Sequence, residues 1–231
     1  MVSESIAVAV GPRAYGPWRG PIKALVATAA LVLLLTTSVR AEPITILGLG
    51  DSLMAGYGLS RNSGFPAQLQ AALIQRGFDV RIVNAGVSGD TTAGGKARLA
   101  WSLAEHPDAA IVELGANDGL RGLPVEQMRG NLDAILSELA ANGIPTLLAG
   151  MRAPPNMGRD YGRAFRQAFV DLAGEHDVEF YPFFLDGVAT NAALNQDDGM
   201  HPTAEGVALI VESILPRVEA LIARVQAKRG G

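Results

Sequence analysis

The 231-residue sequence predicts an α/β fold: a parallel sheet of about five strands, covered by helices on both faces. Three observations predict it. Short apolar runs alternate along the chain with longer segments of helical periodicity. The runs are apolar nearly throughout, as strands buried on both faces must be. Clusters of Gly, Asp, Asn and Ser follow the runs, where ligand groups gather at the carboxyl edge of such a sheet.

The elements follow in order. Residues 44–48 form an apolar run that closes on glycine and read as a first strand. Residues 65–76 place Phe65, Leu69, Ala72 and Leu73 at helical spacing and stop at Gly77. Residues 80–83 read as a second strand, and 91–105 as a helix burying Ala97, Leu99 and Leu103. A third strand spans 109–114. The helix over 126–141 is amphipathic through Met128, Leu132, Ile135 and Leu139, and closes on Asn142-Gly143. Residues 145–149 make a fourth strand, 161–176 a helix and 178–181 a fifth strand. The closing helix spans 203–226, and Pro216 is expected to kink or split it. No internal repeat, low-complexity linker or second domain interrupts this alternation.

Residues 1–41 read differently. An apolar stretch over 24–39 follows Arg13, Arg19 and Lys23 and ends in Val39-Arg40-Ala41, the pattern of a signal peptide cleaved before Glu42. A retained membrane anchor is the alternative, but the uncharged run is short for a span of ~20 residues. The expected mature chain, 42–231, is one domain of the periplasm or the extracellular space, without a stable membrane span and monomeric. The chain has 19 basic and 23 acidic residues. Setting aside the four basic residues and one acidic residue of 1–41 leaves 15 and 22, a balance of −7. So acidic a body argues against nucleic acid as a partner. The absence of cysteine excludes disulfides, thiolate metal sites and cysteine nucleophiles.

A serine hydroxyl becomes a useful nucleophile only beside a base that a third group holds in place. Ser52 directly follows the first strand in Leu49-Gly50-Asp51-Ser52-Leu53, where Gly50 permits a tight turn. On its own, that Gly-Asp-Ser tripeptide reads as a helix cap made by Asp51 and Ser52 rather than as a nucleophile. There are three histidines. His106 and His176 end helices, a structural role for a cation. His201 lies in Asp197-Asp198-Gly199-Met200-His201-Pro202, where Pro202 favours an extended His201 and can start the helix. Asp198 is close enough in the chain to reach Nδ1 of His201 and leave Nε2 facing a nucleophile. Gly89 and Asn117 are candidate N–H donors to an oxyanion, or plain turn residues. Asp51, Asp90 and Asp118 are candidate loop braces. Gly86-Val87-Ser88-Gly89-Asp90 starts like a nucleophile elbow but ends on Asp90, so Ser88 is rejected as nucleophile. A metal site on Asp197, Asp198 and His201 lacks further ligands at a recognised spacing, and neither metal nor cofactor is expected.

Together these clusters resemble the four blocks of the SGNH hydrolases, also called Gly-Asp-Ser-Leu lipases. The likeness runs from about Ile44 to the last helix. Gly50-Asp51-Ser52-Leu53 matches the first block, Asn84 through Asp90 the second, Gly115-Ala116-Asn117-Asp118 the third and Asp198-Gly199-Met200-His201-Pro202 the last. The resemblance implies a flavodoxin-like three-layer α/β/α sandwich. It implies Ser52 as nucleophile, His201 as base and Asp198 as its orienter, with Ser52, Gly89 and Asn117 forming the oxyanion hole. Residues 112–122 and 196–202 are especially similar to the periplasmic thioesterase, lysophospholipase and arylesterase members. There the stretch matching 119–124 flanks the acyl site, which implies an acyl groove lined by Leu120 and Leu123; a plain loop is the alternative. The implied activity is hydrolysis of small-molecule aryl esters, fatty acyl esters, lysophospholipids and acyl-CoA. A carbohydrate O-acetylesterase and a non-catalytic secreted binding domain are the rival functions.

Overall fold

The computed structural model describes residues 42–230, together with the isolated Gly11. The expected signal segment, 1–41, lies otherwise outside the described residues. Five parallel strands form one sheet: β1 (Ile44–Gly50), β2 (Val80–Gly86), β3 (Ala109–Glu113), β4 (Thr146–Ala149) and β5 (Glu179–Tyr181), in the order β2-β1-β3-β4-β5. The chain steps outward from β1 to β2, then returns to the other side of β1 to lay down β3. Strand order thus reverses between β1 and β3, which opens a crevice past their carboxyl ends. The sequence reading of a flavodoxin-like parallel sandwich holds.

The helices are α1 (Ser52–Ala55), α2 (Phe65–Gln75), α3 (Thr92–Ser102), α4 (Ala116–Leu120), α5 (Val125–Ala141), α6 (Arg159–Glu175) and α7 (Ala204–Arg229). Helices α2 and α7 pack together on one face of the sheet, and α3, α5 and α6 in sequence on the other. Every residue of β1, β3 and β4 is buried, whereas the edge strands β2 and β5 are half-covered. Ile46, Leu47, Leu49, Ile111, Val112, Leu147 and Leu148 are fully enclosed there. Each such side chain contributes roughly 1.5–3 kcal/mol to folding by leaving water.

Three local expectations change. Strands β1 and β2 run two and three residues further than their apolar runs, ending level on Gly50 and Gly86. The third polar cluster is not all loop, since α4 begins at Ala116. Pro216 does not split the last helix, which is continuous from Ala204 to Arg229. The physical reason is placement: Pro216 is exposed, while Ile214, Leu215 and Val218 beside it are buried against the sheet. Packing on the inner side holds the helix together.

A proline in an exposed helical position still costs helix stability. Pro216→Ala is therefore expected to stabilise the protein by ~1–3 kcal/mol, read as a higher midpoint in chemical denaturation. A lower midpoint would mean that the helix needs a bend at this point.

Candidate active site

The site grows from the turn after β1. Gly50 sits level with Gly86 on one side and Glu113 on the other. The glycine is required for room: a Cβ here would lie 2.4 Å from Cβ of Met54 and 2.6 Å from Oε2 of Glu113. Asp51, wholly buried, then caps α1, its Oδ1 accepting the Leu53 N–H at 3.0 Å. Its Oδ2 accepts an N–H of the Asn117 carboxamide at 3.0 Å. Ser52, the first residue of α1, faces the crevice between β1 and β3.

His201 reaches Ser52 from the opposite end of the chain. The Ser52 hydroxyl lies 2.8 Å from Nε2 of His201, and Nδ1 of His201 lies 2.6 Å from Oδ2 of Asp198. The other oxygen of Asp198 accepts the backbone N–H groups of Met200 at 2.9 Å and His201 at 3.0 Å. These bonds, the His201 N–H foremost and then its ring, hold the Asp198 carboxyl down at about 2. At neutral pH it is a carboxylate, so Nδ1 carries the proton and Nε2 is free to accept from the serine. A short antiparallel bridge between Asn195 and Pro202 supports this loop. Pro202 therefore does not start the last helix; Thr203 caps it instead, accepting the Gly206 N–H.

Gly89, Ser88 and Asn117 line the same cavity as Ser52 and His201. Gly89 has φ of +82°, a left-handed conformation that side chains disfavour, and its carbonyl accepts from Arg121 at 2.8 Å. Among the sequence candidates, Ser52, His201, Asp198, Gly89 and Asn117 come together. Ser88 lines the cavity, but the histidine faces Ser52. Leu120 lines it too, half-exposed. Leu123 does not: the chain turns away at Gly122, and the Leu123 carbonyl is tied to the Tyr161 hydroxyl at 2.7 Å. His106 and His176 are absent from the lining, and His176 pairs with Asp133 at 2.8 Å. The braces are also in place. Asp118 accepts from the Thr92 N–H and hydroxyl at 2.8 and 2.6 Å, and Asp90 pairs with Arg98 at 2.6 Å. Among the described residues, no three His, Asp or Glu side chains converge as a metal site requires.

Several residues here escaped the sequence reading. Arg98, from α3, donates to the carbonyls of Gly50 at 2.7 Å and Ala85 at 2.6 Å as well as to Asp90. It thus pins the ends of β1 and β2 to the Gly89 turn. Tyr57 packs its ring against the His201 imidazole, with centroids 4.5 Å apart. Gln196 ties the two loops together, donating to the carbonyls of Tyr57 and Pro202 at 2.9 Å each. Glu113 had a signal available, being a lone acid closing an otherwise apolar strand. For Arg98, Tyr57 and Gln196 no local pattern announces the role.

A hydroxyl in line with an imidazole and a carboxylate, at the carboxyl edge of a parallel sheet, is the equipment of an α/β serine hydrolase. Comparison with known proteins agrees. Residues 49–209 match the GDSL-like Lipase/Acylhydrolase family. Esterase TesA of Pseudomonas aeruginosa is 39% identical over 202 residues, 87% of this chain and 100% of the relative. Thioesterase 1/protease 1/lysophospholipase L1 of Escherichia coli K12 is 39% identical over 193 residues, 83% and 91% of the two chains. Among solved structures, AlinE4, an SGNH-hydrolase family esterase, superposes with a TM-score of 0.67 at 48% identity, covering 78% of this chain and 96% of the other. The chain belongs to the GDSL-like lipase/acylhydrolase family and is a serine esterase of the SGNH type. The reading as a non-catalytic binding domain is set aside.

Burial pushes the Asp51 carboxyl up from 3.8 to about 6, although the Leu53 N–H, the Asn117 amide and His201 all pull it down. A value raised on folding means that ionised Asp51 costs stability, roughly 3 kcal/mol for two pKa units. That cost is absent below about pH 4 and complete once the pH has risen through 6. Asp51→Asn removes the titration. Its melting temperature relative to the parent should therefore rise between pH 4 and pH 8, as thermal unfolding at both would read. A constant difference across that range would show that Asp51 is not ionised at a cost.

Proposed function

We propose that this esterase works through an acyl-enzyme on Ser52. The single observation that carries the reading is the line from Ser52 through His201 to Asp198. As the Ser52 oxygen attacks the acyl carbon, its proton passes to Nε2 of His201, and Asp198 stabilises the imidazolium that results. The carbonyl oxygen becomes an oxyanion and takes hydrogen bonds from the N–H groups of Ser52 and Gly89 and from the Asn117 carboxamide. Collapse of the intermediate expels the alcohol or thiol, which takes the proton from His201. A water molecule, activated by the same histidine, then attacks the acyl carbon and releases the carboxylic acid.

Acyl esters and thioesters with an apolar acyl or aryl portion are the proposed substrates: aryl esters, fatty acyl esters, lysophospholipids and acyl-CoA. Support comes from the cavity beside Ser52. Its volume is about 620 Å³, and Leu120, Met151, Ala153, Pro154, Phe183 and Leu185 lie along it. Such a volume and lining suit a medium-length chain. The relatives' names, esterase and thioesterase 1/protease 1/lysophospholipase L1, point the same way. An acetylated sugar would leave most of that apolar surface uncovered. Initial rates on nitrophenyl esters of graded length, a lysophospholipid, an acyl-CoA and an acetylated sugar would rank these classes, and a preference for the sugar would overturn the proposal.

Export is part of the proposal, with residues 1–41 as a cleaved signal and the mature domain, 42–231, acting in the periplasm or outside the cell. Basic residues ahead of an apolar run and the Val39-Arg40-Ala41 junction support it. No helix among the described residues is long and apolar enough to cross a membrane. The mass of the exported protein should correspond to a chain starting near Glu42; the intact chain in washed membranes would point to an anchor.

Two substitutions separate the roles. Ser52→Ala should lose esterase activity while keeping its melting temperature. Asn117→Ala should lower kcat by ~10²–10³-fold with KM little changed, because the charge it serves exists only at the barrier. A folded Asn117→Ala with parental kcat would remove the carboxamide from the reaction.

A further inference from the structure

The esterase reaction leaves one buried acid without a task. Glu113 ends β3, level with Gly50, and none of its surface is exposed. Its Oε2 accepts the Asp51 N–H at 3.3 Å, with the Met54 N–H also directed at the carboxyl. Its Oε1 is buried with no hydrogen-bond partner. Gly50 leaves the space that this carboxyl occupies.

An apolar side chain in this position would avoid burying an unpartnered oxygen, so packing alone does not favour an acid here. What the acid provides is an acceptor for the N–H of the one residue that reaches both halves of the site. Asp51 caps the turn that presents Ser52, and it holds the Asn117 carboxamide. We propose that Glu113 is a positioning residue for the esterase reaction: its carboxyl fixes Asp51, and through Asp51 it sets both the Ser52 hydroxyl and the Asn117 donor. Burial above all, and then the charge of Asp51, keep the Glu113 carboxyl protonated well above the usual carboxylate range. A neutral acid suits the task. Its carbonyl oxygen still accepts the N–H, and no second negative charge is placed under Asp51.

The inference rests on the Ser52 mechanism, and one set of variants tests the two separately. Glu113→Gln keeps a neutral acceptor at the same reach, Glu113→Asp withdraws it by a methylene, and Glu113→Met removes it at similar volume. The measurements are kcat, KM, melting temperature and the pH profile of kcat/KM on one nitrophenyl ester, with Ser52→Ala alongside. Glu113→Gln should keep kcat within about threefold and leave the pH profile in place. Glu113→Asp should lose up to ~10²-fold in kcat with KM nearly unchanged, as displacement of reacting groups by about an ångström does. Glu113→Met should show the same loss without a lower melting temperature. A folded Glu113→Asp with parental kcat would overturn the inference whether or not Glu113→Met folds. So would a Glu113→Gln as slow as Glu113→Asp, or one with a displaced pH profile, since either would mean that the charge matters. Activity surviving in Ser52→Ala would overturn the underlying mechanism instead.

Discussion

Asp51 is a carboxylate shut away from water, and the geometry of the site hangs from it. One of its oxygens ties down the turn that carries Ser52, and the other ties down the carboxamide of Asn117. These two residues follow different strands, β1 and β3, so a single side chain sets the distance between the Ser52 turn and the Asn117 carboxamide. Burial opposes its charge, and the surrounding N–H donors recover only part of that penalty. The cost is borne where pre-organisation matters most, which is how a fold trades stability for a fixed site.

The sheet makes this arrangement possible. Because strand order reverses between β1 and β3, their carboxyl ends are neighbours with an open crevice above them. Gly50, Gly86 and Glu113 come level at that edge, and the two glycines leave the backbone free to crowd together. Arg98 then draws the carbonyls of Gly50 and Ala85 and the carboxylate of Asp90 to one guanidinium, which steadies the turn containing Gly89. His201 and Asp198 come from outside this cluster, on a loop held by the Asn195–Pro202 bridge and by Gln196. The dependence of His201 on a loop explains the extra support from the Tyr57 ring.

Much of this was legible in the sequence, for a physical reason. Ser52, Gly89, Asn117 and the pair Asp198 and His201 each sit in a short polar cluster just past an apolar run or ahead of the last helix. Such contrasts survive in one dimension. The alternation of runs and helices gave the parallel sheet in the same way. What stayed hidden depends on residues distant in the chain. Arg98 reads as an ordinary helix cation until β1 and β2 end beside it. Tyr57 and Gln196 acquire roles only once the two loops meet. Leu123 shows the converse, an apolar residue in a suggestive stretch whose backbone is tied to Tyr161 and which does not line the cavity. Pro216 does not divide the last helix, whose buried side keeps it unbroken.

Asp51 and its supports hold Ser52, Gly89 and Asn117 around one point in space. The most direct measurement is a crystal structure of the protein after reaction with a phosphonate ester, whose tetrahedral adduct on Ser52 mimics the first intermediate. A phosphoryl oxygen is expected within ~2.7–3.1 Å of the backbone nitrogens of Ser52 and Gly89 and of Nδ2 of Asn117, with the Asp51–Asn117 bond intact. An adduct whose phosphoryl oxygen points to solvent, or which forms only after Asn117 has left Asp51, would contradict this arrangement.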